Sequence, residues 1–347
     1  MLKSAIEARA ALAALDQAMR RIPNPHVLIN AIPLLEAQAS SEIENIVTTT
    51  DDLFRFAGDE SAASDPATKE TLQYRAALFA GFAGLATRPL SVSSAIDVCS
   101  IVKHREMPIR SRSGTFIGNP VTQKAVYTPP VGEAVIRDKL TNWQEFIHDA
   151  RGLDPLVVMA IAHYQFEAIH PFDDGNGRTG RILNILLLVE AGIIQQPVLY
   201  LSRFIIEHKD EYYDRLLAVT KDGEWEEWIL FLLEGLRATA VWTVRKIDAI
   251  HHLQERAREA IRSVTPGGPN ADLLAVLFEQ PYCRIANVMG ACGVSRPTAT
   301  GWLNSLVANG VLSDVKVGRE RLFINVALVT LLTRAESEGG EAEPTLF

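Results

Sequence analysis

Most of the first 150 residues place their apolar side chains three or four positions apart, which is the spacing of an amphipathic helix. The segment 51–70 departs from this pattern, because it is rich in Asp, Ser and Gly, and it is predicted to form a loop or short turns. The helices that the spacing predicts are 1–24, 26–46, 71–86, 91–107 and 135–150.

Two alternating stretches, 114–118 and 125–130, flank a polar turn, so a β-hairpin is predicted over about 114–130. Two strongly apolar runs at helical spacing follow, one before residue 170 and one after residue 181. We expect both to be buried helices, joined by a polar loop that opens the second helix.

The last third of the chain changes character again. One long helix is predicted over 230–263, and a linker rich in Gly and Pro over 264–270. Three short helices and a strand pair are predicted in 271–334, in the order typical of a winged helix-turn-helix. The tail 335–347 is rich in Glu and Gly and is predicted to be disordered.

Composition narrows the class of protein. Apolar residues make up 48% of the 347 residues and charged residues 22%, as in an ordinary soluble protein with two or three structural units. The net charge of −8 argues against bulk nucleic-acid binding. Three scattered cysteines do not predict a disulfide framework or a zinc site. With no secretory signal or membrane span in the pattern, a cytoplasmic location without membrane contact is predicted.

The polar segment 170–181 carries the candidate chemistry. His170 is suited to moving a proton near neutral pH, and Asp174 offers the hard oxygen ligand that Mg²⁺ prefers. Gly175 and Gly177 allow the backbone to approach a phosphate at a helix N-terminus, where free N–H groups attract anions.

Two arginines, Arg178 and Arg181, follow three positions apart on the predicted helix, where their guanidinium groups can reach further phosphate oxygens. From its residues alone, the segment is therefore a polyphosphate site with a base beside it. An arginine-capped loop between core helices is the structural alternative, but it leaves the histidine, the aspartate and the paired glycines unexplained.

At every defined position, residues 170–181 resemble the signature of the Fic family, His-x-Phe-x-Asp/Glu-Gly-Asn-Gly-Arg-x-x-Arg. Members transfer AMP from ATP to hydroxyl side chains of proteins. The resemblance implies a mainly α fold, a Fic-type helical core over 101–263 with the hairpin as its flap, followed by the small winged helix-turn-helix-like domain. It implies His170 as the catalytic base and Asp174 as the Mg²⁺ ligand. It also implies an ATP-binding set: Gly175, Asn176, Gly177, Arg178, Thr179, Gly180 and Arg181.

The N-terminal region 1–100 contains a second resemblance. Residues 40–45 are similar to the family's inhibitory motif, Ser/Thr-x-x-x-Glu-Gly/Asn, with Ser40, Glu44 and Asn45 at the defined positions. In the family this glutamate pairs with the second motif arginine, here Arg181, which cannot hold a carboxylate and a γ-phosphate together. The alternative is that Glu44 is a solvated helix residue or part of an intrahelical pair.

Residues 199–229 resemble the nucleoside side of a Fic pocket. Tyr212 or Tyr213 could stack on adenine, and Glu207 could hydrogen-bond its edge or the ribose; of these, Glu207 and Tyr213 are predicted contacts. A packing or surface role is the alternative for each. The flap resemblance implies that the hairpin edge pairs with an extended target segment and so aligns its hydroxyl. The alternative there is a plain surface hairpin.

The sequence does not decide which kind of partner the C-terminal segment 271–334 binds. Its predicted recognition helix carries Arg296, Thr298 and Asn304, and its wing carries Lys316, Arg319 and Arg321, all of which could meet nucleic acid. With six basic and four acidic residues, the segment suits protein docking or homodimer formation at least as well. The predicted function is AMP transfer from ATP with Mg²⁺, to target proteins and to the chain itself. The alternatives are a DNA-binding regulator with the Fic core as an ATP sensor, or a protein kinase.

Overall fold

The computed structural model describes residues 1–21, 26–57, 63–112, 117–119, 124–150, 152–265, 268, 270–317 and 320–333. These residues form a mainly α fold, as predicted, with fifteen helices and five short strands in the described part. The chain divides into two compact units. The first comprises residues 1–17 and 32–242, and the second comprises residues 18–31 and the chain from 243 onward. The domain boundaries predicted from the sequence stay predictions.

The helices of the N-terminal region follow the predicted order, with one addition. Their bounds are α1 Leu2–Arg21, α2 His26–Ile43, α3 Thr50–Phe56, α4 Pro66–Gly84 and α5 Val92–Val102. The prediction of a loop over 51–70 is wrong for α3, because Thr49 caps the Asp52 amide and Leu53 and Phe54 are buried. It is also wrong for the start of α4, where Asp65 caps the helix and a proline takes its first position. Residues 58–62 of that prediction lie outside the described residues.

The elements that surround the site come next. They are β1 Ile117–Asn119, β2 Lys124–Tyr127, α6 Glu133–Asp149, α7 Pro155–Ile169, α8 Asn176–Glu190, α9 Leu201–Glu207, α10 Lys209–Asp222 and α11 Trp225–Val264. The predicted hairpin is confirmed: β1 and β2 pair antiparallel, with Ile117 opposite Tyr127. Residues 114–116 and 120–123 of the prediction lie outside the described part of the chain.

Helices α7 and α8 form the core of the first unit. Helix α8 is buried along nearly its whole length, and from 182 to 189 it is apolar apart from Asn184. Two indole N–H groups hold α7 from its flanks: Trp143 Nε1 donates to the carbonyl of Ala162 at 3.1 Å, and Trp228 Nε1 donates to that of Ala160 at 2.8 Å. Helix α4 crosses α8 closely at Gly81, where a Cβ atom would lie 2.6 Å from Leu186. The loop between α7 and α8 is therefore carried by rigid elements.

The second unit contains the C-terminal elements. They are α12 Asn270–Glu279, β3 Tyr282–Arg284, α13 Ile285–Cys292, α14 Arg296–Ala308, β4 Ser313–Val317, β5 Glu320–Ile324 and α15 Val326–Thr333. The strands form an antiparallel sheet in the order β3-β5-β4. The pattern did not predict β3 or α15, because each is short. Asn325 caps α15 by accepting the Leu328 amide at 3.1 Å and donating to the Leu277 carbonyl at 3.2 Å. The predicted tail 335–347 lies outside the described residues.

Within the described residues, no helix is both long and apolar enough to cross a membrane. All three cysteines are free thiols: Cys99 and Cys283 are buried and Cys292 is partly exposed.

Candidate active site

His170 ends α7 in a left-handed backbone conformation, with φ of +49°. Such a conformation is costly for a residue with a side chain and requires support from its surroundings. Arg110 supplies that support. Its Nε donates to the His170 carbonyl at 2.7 Å, its Nη2 donates to the Pro130 carbonyl at 2.6 Å, and its backbone N–H donates to the Pro171 carbonyl at 2.9 Å. The Arg110 side chain is only 2% exposed and fixes the turn that presents the imidazole.

The His170 imidazole is a neutral base in this setting. Burial lowers its pKa to about 4, and the nearby charge of Arg110 acts in the same direction. Neutral imidazole retains a lone pair that can accept a proton across the physiological pH range.

The loop after His170 is closed by a side-chain clamp. Asn176 Oδ1 accepts the Phe172 amide at 2.8 Å, and Asn176 Nδ2 donates to the Phe172 carbonyl at 2.7 Å. Phe172 itself is fully buried. Both polar atoms of the Asn176 side chain are used within the loop, and the place of Asn176 in the ATP-binding set stays a prediction. The backbone remains available, and Gly175, with φ of +83°, turns it into the N-terminus of α8.

Four charged side chains meet beside this N-terminus. Lys103 Nζ lies 2.5 Å from Glu70 Oε1 and 2.7 Å from Asp174 Oδ2, and Arg178 Nη1 lies 2.9 Å from Glu70 Oε1. Burial alone would raise the pKa of Asp174, but the hydrogen bond and charge of Lys103 and the charge of Arg178 more than offset it, so the pKa is lowered. Asp174 is therefore an ionised carboxylate, half-exposed at the loop. Arg178 is buried and faces Glu70.

Two members of the predicted ATP-binding set face the interior instead. Thr179 is fully buried on α8. A Cβ atom on Gly180 would lie 3.2 Å from the Phe166 ring and would overlap the carboxyl of Glu167, so this glycine serves the close packing of α8 on α7. The structure therefore gives both residues packing roles.

Arg181 is held by the segment predicted to be inhibitory. Its Nε donates to Ser40 Oγ at 2.7 Å, and its Nη2 donates to the Ser40 carbonyl and to Glu44 Oε1, each at 2.9 Å. Asn45 follows α2 with φ of +60°, a left-handed conformation that Asn and Gly adopt most readily. The structure thus brings Ser40 and Glu44 together with Arg181, and Asn45 follows Glu44 in the turn after α2. The contacts with Arg181 explain the hydroxyl at position 40 and the carboxylate at position 44, and the left-handed backbone explains the Asn at position 45.

A cavity of about 150 Å³ opens beside these groups. One wall comes from α7, the opposite wall from α10, and one end reaches His170, Gly177, Arg181 and Glu44. The residues that line it are Glu44, Val126, Tyr127, Tyr164, Glu167, Ala168, His170, Gly177, Arg181, Tyr212, Tyr213, Leu216, Leu217 and Thr220. Its far end is apolar and aromatic, which suits a nucleobase.

The two predicted nucleoside contacts differ in outcome. Tyr213 lines the cavity, and its ring packs edge-on against Tyr212 at a centroid distance of 5.1 Å. Glu207 does not line it; its Oε1 accepts from Arg203 Nε at 2.9 Å on the half-exposed side of α9. Glu207 therefore forms an ion pair with a residue one helical turn away, and its nucleoside contact stays a prediction.

The prediction from sequence missed Arg110, Lys103, Glu70 and Glu167. Each lies outside the motif or on the far side of a helix, and single charged residues at such positions carry no pattern of their own. Only Glu167 gave a signal, as a carboxylate inside the otherwise apolar run of α7.

Family profiles match three parts of the chain. The Fic/DOC family N-terminal profile matches residues 2–83 and the Fic/DOC family profile residues 94–188. The C-terminal domain of SoFic-like protein adenylyltransferases matches residues 253–328.

Curated relatives match over shorter stretches. The chain is 29% identical to protein adenylyltransferase Fic of Aedes aegypti over 160 residues, which cover 45% of this chain and 29% of that protein. It is 36% identical to protein adenylyltransferase fic-1 of Caenorhabditis elegans over 89 residues, 25% of this chain and 16% of that protein. The chain spans less than a third of the length of these relatives.

Two solved structures share the fold. A Fic family protein from Desulfovibrio desulfuricans G20 superposes with a TM-score of 0.55 at 20% identity, over 92% of this chain and 95% of that chain. Residues 134–508 of Fic-1 from C. elegans superpose with a TM-score of 0.52 at 18% identity, over 72% and 74% of the two chains. At these identities the likeness concerns the fold alone.

Proposed function

Because the chain belongs to the Fic/DOC family, we propose that it is a protein adenylyltransferase. It transfers AMP from ATP to a Tyr, Ser or Thr hydroxyl of target proteins and of itself, and Glu44 inhibits it by pairing with Arg181. The observation that carries the proposal is the assembly of a neutral His170 imidazole, the N-terminus of α8 and Arg181 around one cavity.

The reaction breaks the phosphoanhydride bond between the α- and β-phosphates of ATP and forms a phosphoester bond to the target hydroxyl. The target hydroxyl oxygen attacks the α-phosphorus of ATP, its proton passes to the neutral imidazole of His170, and pyrophosphate leaves with the electron pair of the broken P–O bond. Arg110 and the clamp formed by Asn176 hold the base and the loop in place before substrate arrives. Positioning and charge stabilisation supply most of the acceleration.

The polyphosphate binds at the N-terminus of α8. Backbone N–H groups at residues 175–177 point to this end of the helix, where the helix dipole favours an anion. Gly177 carries no side chain between the backbone and the cavity. Arg181 binds the γ-phosphate whenever Glu44 does not occupy its Nη2. Arg178, in the first turn of α8, is held at this end of the helix by its contact with Glu70.

Asp174 is the residue that would hold Mg²⁺. Its carboxylate is ionised and half-exposed, which fits a hard divalent cation. No cluster of three or more metal-ligating side chains occurs among the described residues, which suits Mg²⁺ because it is commonly bound by one or two carboxylates and by substrate phosphates. When bound, Mg²⁺ neutralises charge on the phosphates and on the leaving pyrophosphate.

The β1–β2 hairpin is the proposed docking edge for the target. Val126 and Tyr127 of β2 line the cavity, and Tyr127 Oη donates to the Ala168 carbonyl at 2.8 Å, so the strand is fastened beside the base. An extended target segment that pairs with this edge would bring its hydroxyl to His170 without a strict sequence requirement.

The C-terminal elements of the second unit form a winged helix-turn-helix-like domain in this proposal. Support comes from the chain order β3, α13, α14, β4, β5, in which the three strands form one sheet. Arg321, one of the predicted wing contacts, donates to Asp314 at 2.6 Å and to Asn304 at 2.5 Å. Because this internal pairing occupies two predicted nucleic-acid contacts, we favour a protein partner for this domain.

Label transfer from ATP tests the proposed chemistry. Wild-type, Glu44→Gly and His170→Ala proteins are incubated with ATP labelled at the α- or the γ-phosphate. We expect weak self-labelling from the α-label by wild type, more by Glu44→Gly and none by His170→Ala. Transfer of the γ-label would identify a kinase. If the Glu44→Gly protein transferred neither label, even with lysate as target, the nucleotide-sensing regulator would become the better interpretation.

A further inference from the structure

The Oε1 atom of the Glu167 carboxyl has no hydrogen-bond partner among the described residues. The side chain is only 8% exposed, and Oε1 is fully buried. A buried polar group without a hydrogen-bond partner destabilises a folded protein and is rare. Burial raises the pKa of Glu167 to about 7, although the charge of Arg181 opposes the shift. The arrangement therefore costs stability when the cavity contains no ligand.

Glu167 lies on the wall of the cavity that also exposes His170, Gly177 and Arg181. Its Oε1 packs against Gly180, where a Cβ atom would overlap it, so the carboxyl cannot withdraw toward α8. Van der Waals contact with a glycine offers no hydrogen bond. An oxygen that borders a ligand cavity, has no hydrogen-bond partner among the described residues and has no room to retreat is placed to contact the ligand.

Helix α7 also indicates which part of the ligand it meets. Along a helix, Glu167 lies about 4.5 Å before His170, and Tyr164 about 9 Å before it. In ATP the ribose is joined directly to the α-phosphate, and the base lies farther away. With the α-phosphate at His170, the ribose is therefore level with Glu167. The base is level with Tyr164, whose hydroxyl is 2.9 Å from Thr220 at the aromatic end of the cavity.

From this arrangement we infer that Glu167 accepts a hydrogen bond from the 2′- or 3′-hydroxyl of the nucleotide's ribose and so discriminates against nucleotides that lack that hydroxyl. The inference rests on the proposed function for the position of the α-phosphate. Carboxyl oxygens are well suited to this contact, because they accept hydrogen bonds in both protonation states. A carboxylate is also the group that holds ribose in many dinucleotide-binding proteins.

Removing a hydroxyl from the ribose and, separately, the carboxyl from Glu167 tests the contact. Dissociation constants for ATP, 2′-deoxy-ATP and 3′-deoxy-ATP are measured calorimetrically with the full chain carrying Glu44→Gly and His170→Ala, so that the site is open and no turnover occurs. With Glu167 present, loss of the contacted hydroxyl weakens binding by about threefold to tenfold, the effect of one hydrogen bond. Glu167→Met binds all three nucleotides equally, whereas Glu167→Gln keeps the difference through its amide oxygen.

Stability provides a second readout. Because Oε1 has no hydrogen-bond partner among the described residues, Glu167→Met should not lower Tm in the absence of nucleotide. Gln165→Met is the matched control on the same helix. Its side chain bonds Asn142 at 2.8 Å on the exposed face, so it should leave the discrimination unchanged.

ATP binding with the same hydroxyl discrimination in Glu167→Met as in the parent would overturn the ribose contact alone. If the parent protein bound no ATP, the proposed function would fail and the contact with it. A Tm loss of several degrees in Glu167→Met would assign the residue a structural role and contradict the inference.

Discussion

Glu44 and Arg181 form an ion pair, with Oε1 of the carboxylate 2.9 Å from Nη2 of the guanidinium. The Arg181 side chain is 2% exposed and that of Glu44 is 35% exposed, so one partner is fixed in the core and the other can reach solvent. The carboxylate also lies over Gly177, where a Cβ atom would overlap it. A phosphate that approached Arg181 by this route would meet a like charge already in place.

Glu36 fastens the proposed inhibitory segment to the core one helical turn before Ser40. Its Oε1 accepts from Tyr74 Oη at 2.9 Å, and its Oε2 accepts the Ser202 amide at 2.8 Å. Tyr74→Phe removes one donor from this fully buried carboxyl and is expected to lower the free energy of unfolding by about 1–3 kcal/mol, as measured by denaturant titration.

Tyr164→Phe is the control for that change, because its hydroxyl pairs with Thr220 in an exposed position. We expect a cost below about 1 kcal/mol there. Equal costs at the two positions would show that the buried carboxyl does not depend on Tyr74.

The crossing of α4 over α8 predicts opposite effects for two glycines one turn apart. Gly81→Ala would place a Cβ atom 2.6 Å from Leu186 and is expected to lower stability by about 1–3 kcal/mol. Gly84→Ala meets nothing within 4 Å and is expected to be neutral or to raise stability by up to about 1 kcal/mol. Thermal unfolding of the two variants measures the difference. A Gly81→Ala protein as stable as Gly84→Ala would contradict the observed crossing.

The pKa of His170 can be measured directly. Proton NMR of the histidine ring, assigned by comparison with His170→Ala, should show a titration midpoint near 4, because burial and the charge of Arg110 oppose protonation. The folded value lies below the unfolded value of about 6.5. The contribution of His170 to stability is therefore complete above pH 6.5 and is lost as the pH falls toward 4. A midpoint near 6.5 would mean that the imidazole is solvated rather than buried.

How far the sequence predicted the molecule depended on how much of each feature is local. The helical periods and the motif at 170–181 are local, so the mainly α fold and the placement of His170, Gly177 and Arg181 at one cavity followed from them. The pairing of Glu44 with Arg181 was expected only through the family resemblance, since 137 residues separate the two positions.

Features that depend on three-dimensional packing did not follow from the sequence. Glu207 has the chemistry of a ribose contact, but it lies on the half-exposed side of α9 and pairs with Arg203. Arg110 supports a turn 60 residues away, which no pattern around it indicates. Glu167 is buried at the cavity and Glu207 is half-exposed, a difference that depends on the packing of α7 and α9.

The charges of the second unit predict little affinity for DNA. Arg321 is engaged by Asp314 and Asn304, and the segment 271–334 has a surplus of only two basic residues. Nucleic-acid affinity depends on the number of phosphates neutralised, so we expect no gel shift with duplex DNA at physiological salt. A shift that Lys316→Glu abolished would show instead that the wing binds nucleic acid.

The rate of AMP self-incorporation by wild type, Glu44→Gly and Glu42→Gly tests the central claim most directly. Both variants place a glycine in the same segment, but Glu42 makes no contact with Arg181. The account predicts a rise of about tenfold or more for Glu44→Gly, which corresponds to 1.4 kcal/mol or more of competition at Arg181, and no change for Glu42→Gly. An equal rise in both variants, or none in Glu44→Gly, would contradict the claim that Glu44 and the γ-phosphate exclude each other at Arg181.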